Sequence, residues 1–122
     1  MITVDIKANA GYCFNRRLLK RKINQYLIDQ ELVNVELSLA VVGRRKMRQL
    51  NRDYRDFDDV SDVLAFSQEG GNRTPEGKLI LGDIVVCYPR AQEESISYQE
   101  SIDEAIWDFV EHGLNRLLKI EP

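Results

Sequence analysis

One histidine, two cysteines, three prolines and one tryptophan are all that these 122 residues hold of the side chains that most often announce a site or a staple. Cys13 and Cys87 are too few and too far apart for a disulfide framework or a cysteine zinc cluster, so they read as two reduced thiols. No run approaches the roughly 18 apolar residues of a membrane span. The start, MITVDIKANAGYCFNRR, lacks the basic-then-apolar pattern of a signal peptide, so a soluble cytoplasmic protein without a membrane partner is expected. The lone histidine, His112, sits in FVEHGLNRLLKIEP, and one helical turn later stands Arg116 rather than a second histidine. A zinc-protease pattern is missing as well, because Gly113 and not glutamate follows His112.

What is present is charge, unevenly placed. Residues 1 to 57 carry 12 Lys/Arg against 6 Asp/Glu, and residues 58 to 122 carry 5 against 14, beneath a net charge of −3. Because local charge governs the field within a Debye length of about 10 Å, an acidic whole does not exclude a phosphate-bearing partner. Five basic residues fall in positions 16 to 22 and six in positions 44 to 55. Arg44, Arg45, Arg48, Arg52 and Arg55 are thus candidates for RNA contact, beside the simpler reading of a solvated basic face.

Periodicity predicts the elements. ITVDIK alternates as a strand; Leu18, Leu19, Ile23, Tyr26 and Leu27 mark a helix from Asn15 to Glu31; VNVELSLAVV alternates again. Met47, Leu50 and Tyr54 predict a second helix over RRKMRQLNRDYRDF, followed by a short strand VSDVLAF. SQEGGNRTPEGK has turn or mobile-loop chemistry, and LILGDIVVCY reads as a strand buried on both faces. Pro89 suits the first turn of a helix over PRAQEESISY. Ser101 and Glu104 predict a capping box that opens a final helix from Ile102 to Lys119. The order β-α-β-α-β-β-α-α predicts one α+β domain, residues 1 to 122, with a mixed four-stranded sheet packed by helices.

In the last helix, Ile102, Ile106, Phe109, Val110, Gly113, Leu114 and Leu117 form the apolar stripe, leaving His112 and Arg116 together on its flank. A guanidinium has no lone pair for a metal and repels one. Asp108, one turn before His112, and Glu121 near the end are the carboxylates that could assist a metal; Asp108 or a backbone carbonyl could equally just hydrogen-bond the imidazole. In LGDI, Gly82 suggests a tight backbone approach, and Asp83 reads either as a turn cap or as a functional carboxylate.

Taken in order, LNRDYRDFDDVSDVLAF, LILGDIVVCYPRA and HGLNRLL resemble the YbeY family of bacterial ribosomal RNA maturation factors. The resemblance implies a compact α+β fold, a part in rRNA processing and ribosome biogenesis, and a zinc-assisted, single-strand-specific endoribonuclease activity on ribosomal RNA, with the ribosome or a ribosomal protein as partner. It also implies a His-Gly-x-x-His-x-x-Gly-x-Asp-His metal motif. His112 and Gly113 match it, while Arg116, Lys119, Glu121 and Pro122 stand at the second histidine, the glycine, the aspartate and the third histidine. Family members usually continue beyond that point. Arg55 matches the arginine of an Asn-x-x-Tyr-Arg segment associated with RNA handling, so the resemblance makes Arg55 and His112 the catalytic candidates. Asn51, Ser61, Asp62, Gly82 and Asp83 match the neighbouring pattern. The expectation is a retained RNA-facing surface beside a metal centre lost or rebuilt, with binding of ribosomal RNA or a ribosomal protein without catalysis as the alternative.

Overall fold

The computed structural model describes residues 1–68 and 72–119. Its elements follow the expected order: β1 (Thr3–Ala8), α1 (Arg16–Asp29), β2 (Val35–Val42), α2 (Arg44–Arg55), β3 (Val63–Ser67), β4 (Leu79–Cys87), α3 (Tyr88–Ser97) and α4 (Ile102–Leu117). In β2 the alternation is complete: Val35, Leu37, Leu39 and Val41 are buried and the residues between them partly open. The strands lie in the order β1-β2-β4-β3. β1, β2 and β4 run parallel, β1 joined to β2 through α1 and β2 to β4 through α2 and β3, and β3 lies antiparallel beside β4.

The sheet separates two cores. On one face α1, α3 and α4 bury Leu19, Ile23, Leu27, Ala91, Ile106 and Leu114 against Val4, Leu37, Leu39, Ile84 and Val86. On the other, α2 alone buries Met47 against Leu64, Val85 and Cys87. Cys87 is buried and Cys13 exposed, and both are free thiols.

Element ends differ from the expected ones for local reasons. α1 starts one residue later than predicted because Asn15 is its cap, its side chain accepting from the Leu18 N–H at 3.0 Å. The predicted ends of α1, α2 and α4 overshoot because Glu31 (φ 61°), Asp56 (φ 52°) and Lys119 (φ 56°) are left-handed and cannot continue a helix. β4 is not buried throughout, since Asp83 is exposed in its middle. Register shifts where Glu36 faces Ile80 and Leu37 faces Gly82, so Leu81 is an extra residue and the strand bulges. Gly82 there has φ 141°, and a Cβ would lie 2.1 Å from the Phe66 carbonyl oxygen. The close backbone approach read from this glycine is what the fold contains.

Candidate functional site

α4 carries His112 into place. Its start is locked by the expected capping box: Ser101 Oγ accepts from the Glu104 N–H at 3.0 Å, and Glu104 Oε1 accepts from the Ser101 N–H at 3.1 Å. Its apolar stripe buries Ile106, Phe109, Val110, Leu114 and Leu117, with Ala105 added and Ile102 only partly covered. Gly113 lets the helix close on the sheet: a Cβ there would meet Ile84 Cγ2 at 3.0 Å and Val63 Cγ2 at 3.2 Å. The His-Gly pair is therefore a packing arrangement as well as a motif. With the stripe seated, Asp108, His112 and Arg116, four residues apart each time, share one exposed face.

That face forms one wall of a cleft of about 690 Å³, whose opposite wall comes from the end of α2 and the loop into β3. Asn51, fully buried, organises the loop. Its Nδ2 donates to the Asp59 carbonyl at 2.8 Å and to Ser61 Oγ at 3.0 Å. Its backbone carbonyl accepts from the Phe57 N–H at 3.2 Å, and its Oδ1 accepts from Arg55 Nη1 at 3.4 Å. Arg55 also donates to Ser61 Oγ at 3.4 Å. A buried amide thus aims a partly solvated guanidinium, which keeps donors for a ligand because both of its contacts are long. Asp62 beside it accepts from Arg90 Nε of α3 at 2.8 Å.

The floor and third wall bring acids. Glu94, Glu100 and Asp108 offer carboxylate oxygens all within 4.8 Å of one another. Burial first, then the Asp108 and Asp62 carboxylates, push the Glu94 carboxyl above its ordinary value; burial, Asp108 and Glu94 do the same to Glu100. Glu100 Oε1 is shut off from solvent within this group of acids. As a donor set, three carboxylates suit a hard cation, whereas catalytic zinc takes three largely nitrogen ligands around an open position. His112 does not belong to that group, and Arg116 lines the same cleft. The described residues do not fit a three-histidine zinc centre; Glu121 and Pro122 lie outside them.

Of the residues singled out in sequence, the cleft gathers Arg55, Ser61, Asp62, Asp108, His112 and Arg116. Of the five arginines proposed for RNA contact, only Arg55 reaches it. Arg44 pairs with Glu93 of α3. Arg48 holds Asp58 through two contacts, Nε to Oδ1 at 2.7 Å and Nη2 to Oδ2 at 3.2 Å, and Arg52 lies 3.8 Å from the same acid. Arg45 is exposed away from the cleft. Asp83 is neither a turn cap nor a cleft residue: mid-strand, it faces a second groove with Asp5, Lys7, Ser38 and Lys46 on the α2 side of the sheet. Sequence reasoning missed Arg90, Glu94, Tyr98 and Glu100. The i, i+4, i+8 spacing of 90, 94 and 98 was the available signal, though nothing in it tells which face of α3 meets α4.

The family model described as Endoribonuclease YbeY matches residues 6–118. An endoribonuclease YbeY of Myxococcus xanthus is 33% identical over 117 residues, which covers 96% of this chain and 40% of that protein. One from Finegoldia magna is 40% identical over 85 residues, covering 70% of this chain and 54% of the relative. The chain therefore spans about half the length of these curated relatives. In fold, it is similar to the solution structure of TM1509 from Thermotoga maritima, with TM-score 0.67 and 21% identity over 94% of this chain and 71% of that one. With Arg55 and His112 lining one cleft and the match running from β1 to the end of α4, the chain belongs to the YbeY family.

Proposed function

We propose that this chain acts on single-stranded segments of ribosomal RNA as an endoribonuclease of the YbeY type, in ribosome biogenesis in the cytoplasm. The observation that carries the reading is the convergence of Arg55, from the end of α2, and His112, from α4, on one cleft of about 690 Å³, room enough for a nucleotide and its phosphate. Arg55 is the phosphate-binding group: its planar donors match a phosphodiester, and Asn51 and Ser61 hold it in advance. Arg116 adds a second guanidinium against the charge that builds on phosphorus-bound oxygens. His112 supplies an imidazole at the same place. Arg44, Arg45, Arg48 and Arg52 contribute an outer electrostatic field that steers RNA toward the cleft. No step here passes through a zinc ion, because of the three-histidine set only His112 stands among the described residues. One observation favours a second reading, binding of ribosomal RNA or a ribosomal protein without cleavage: Arg116 occupies the second-histidine position inside the cleft.

One experiment separates them. The purified protein is assayed for bound metal and for cleavage of a single-stranded ribosomal RNA fragment with and without EDTA, beside His112→Ala, Arg55→Ala and Arg116→His/Pro122→His. Cleavage that survives EDTA and disappears in His112→Ala is the expected result. Cleavage that requires about one equivalent of bound metal would overturn the metal-free account. RNA binding without any cleavage, lost in Arg55→Ala, would establish the second reading instead.

A further inference from the structure

One exposed aromatic ring lines the cleft, and a second is tied to it through Arg55. Tyr98, at the end of α3, lines the cleft beside Glu94 and Glu100 and is 74% exposed. Phe57, just past α2, is 45% exposed and carries the Arg55 guanidinium 5.6 Å from its ring centroid, which ties the ring to the cleft through the one arginine of α2 that lines it. A single exposed ring on a protein surface needs no explanation. Two exposed rings beside one cleft, one lining it and one against its Arg55, with Arg90 and Arg116 also in the lining, combine stacking surface and phosphate contact as sites for unpaired polynucleotides do.

We propose that Phe57 and Tyr98 are base-stacking platforms on the α2 and α3 margins of the cleft, so that single-stranded RNA crosses it with a base on each ring and the intervening phosphate at Arg55. The assignment rests on the RNA-acting reading above and adds to it the residues that set the preference for unpaired strands. A duplex keeps its bases stacked inward and offers these rings only backbone, whereas an unpaired base can lay its face on either one. Arg55 sits against Phe57 in the free protein, so the guanidinium is already beside the ring where the phosphate next to a stacked base arrives. Because every base has a π-face, the platforms select for strandedness and not for sequence.

The test measures affinity for a short fluorescein-labelled oligouridine and for a hairpin duplex of equal length, in EDTA and at two salt concentrations. Phe57→Ala and Tyr98→Ala are each expected to weaken single-strand binding about tenfold, to leave the slope against salt unchanged and to shrink the preference over duplex. Phe57→Trp and Tyr98→Phe, which keep a ring, retain binding; Ile96→Ala, which removes an 80% exposed apolar side chain outside the cleft, serves as the control. Wild-type binding kept by both alanine variants overturns the stacking assignment alone. A wild-type protein that binds no single-stranded RNA overturns the RNA-acting reading and this one with it. Melting temperatures of all variants close to wild type show that no loss is due to unfolding.

Discussion

At the scale of single residues, burial decides which polar groups matter. Among the described residues Asn51 is the one polar side chain in the fully buried set, and each of its polar atoms is committed, so it acts as the joint between α2, the loop and Arg55. Cys87, equally buried, has its thiol pushed up by that burial, which makes it inert and structural. Glu94 is raised by burial too, and the neighbouring Asp108 and Asp62 carboxylates add to it. Its carboxyl is raised in the fold, so the folded chain holds a proton that the unfolded chain gives up more easily. The folded state therefore binds more protons across the window above the ordinary value of 4.5, and stability falls as pH rises through it. Glu94→Gln is expected to raise Tm at about pH 7, with the gain vanishing at about pH 3.5 where both forms are neutral. Calorimetry at the two pH values checks it; an equal Tm at neutral pH would mean the acid cluster is fully relieved by solvent.

At the scale of elements, α2 holds two kinds of arginine. Arg55 faces the cleft from the last turn, while Arg48 and Arg52 are drawn to Asp58, whose carboxyl the Arg48 hydrogen bond holds below its usual range. A run of six basic residues in twelve is thus less available to phosphate than its count suggests. These exposed pairs add little to stability, but they do compete with a ligand. Asp58→Asn is expected to tighten single-stranded RNA binding several-fold at low salt and to steepen the dependence on salt, with little change in Tm. Fluorescence anisotropy across a salt series reads both effects; unchanged affinity would show that α2 lies off the RNA path.

At the scale of the whole molecule, the sheet has a heavy side and a light one. Three helices bury the larger core, and α2 is held on the other face by a smaller one, Met47 over Leu64, Val85 and Cys87 with Leu50, Ala40, Val42 and Phe66 partly buried around them, and by the Arg44–Glu93 pair as a tie to α3. Local opening follows buried apolar contact, so amides of α2 are expected to exchange with deuterium well before those of β2 and β4. Hydrogen-exchange mass spectrometry resolves this, and uniform protection would show that both faces open together. The architecture itself was legible without coordinates, because period-2 and period-3.6 apolar patterns, Asn15, the Ser101–Glu104 box and Pro89 are local instructions that act within a few residues. His112 and Arg116 on one helix face followed from the same geometry. What sequence spacing could not decide is who meets across the fold. Arg55 joins His112 because β3 runs back beside β4 and α4 closes on Gly113; Glu94, Tyr98 and Glu100 enter because α3 folds against α4; Asp83 leaves because its strand position turns it to the opposite face. Those choices depend on long-range packing of buried surface, which no short stretch of chain contains.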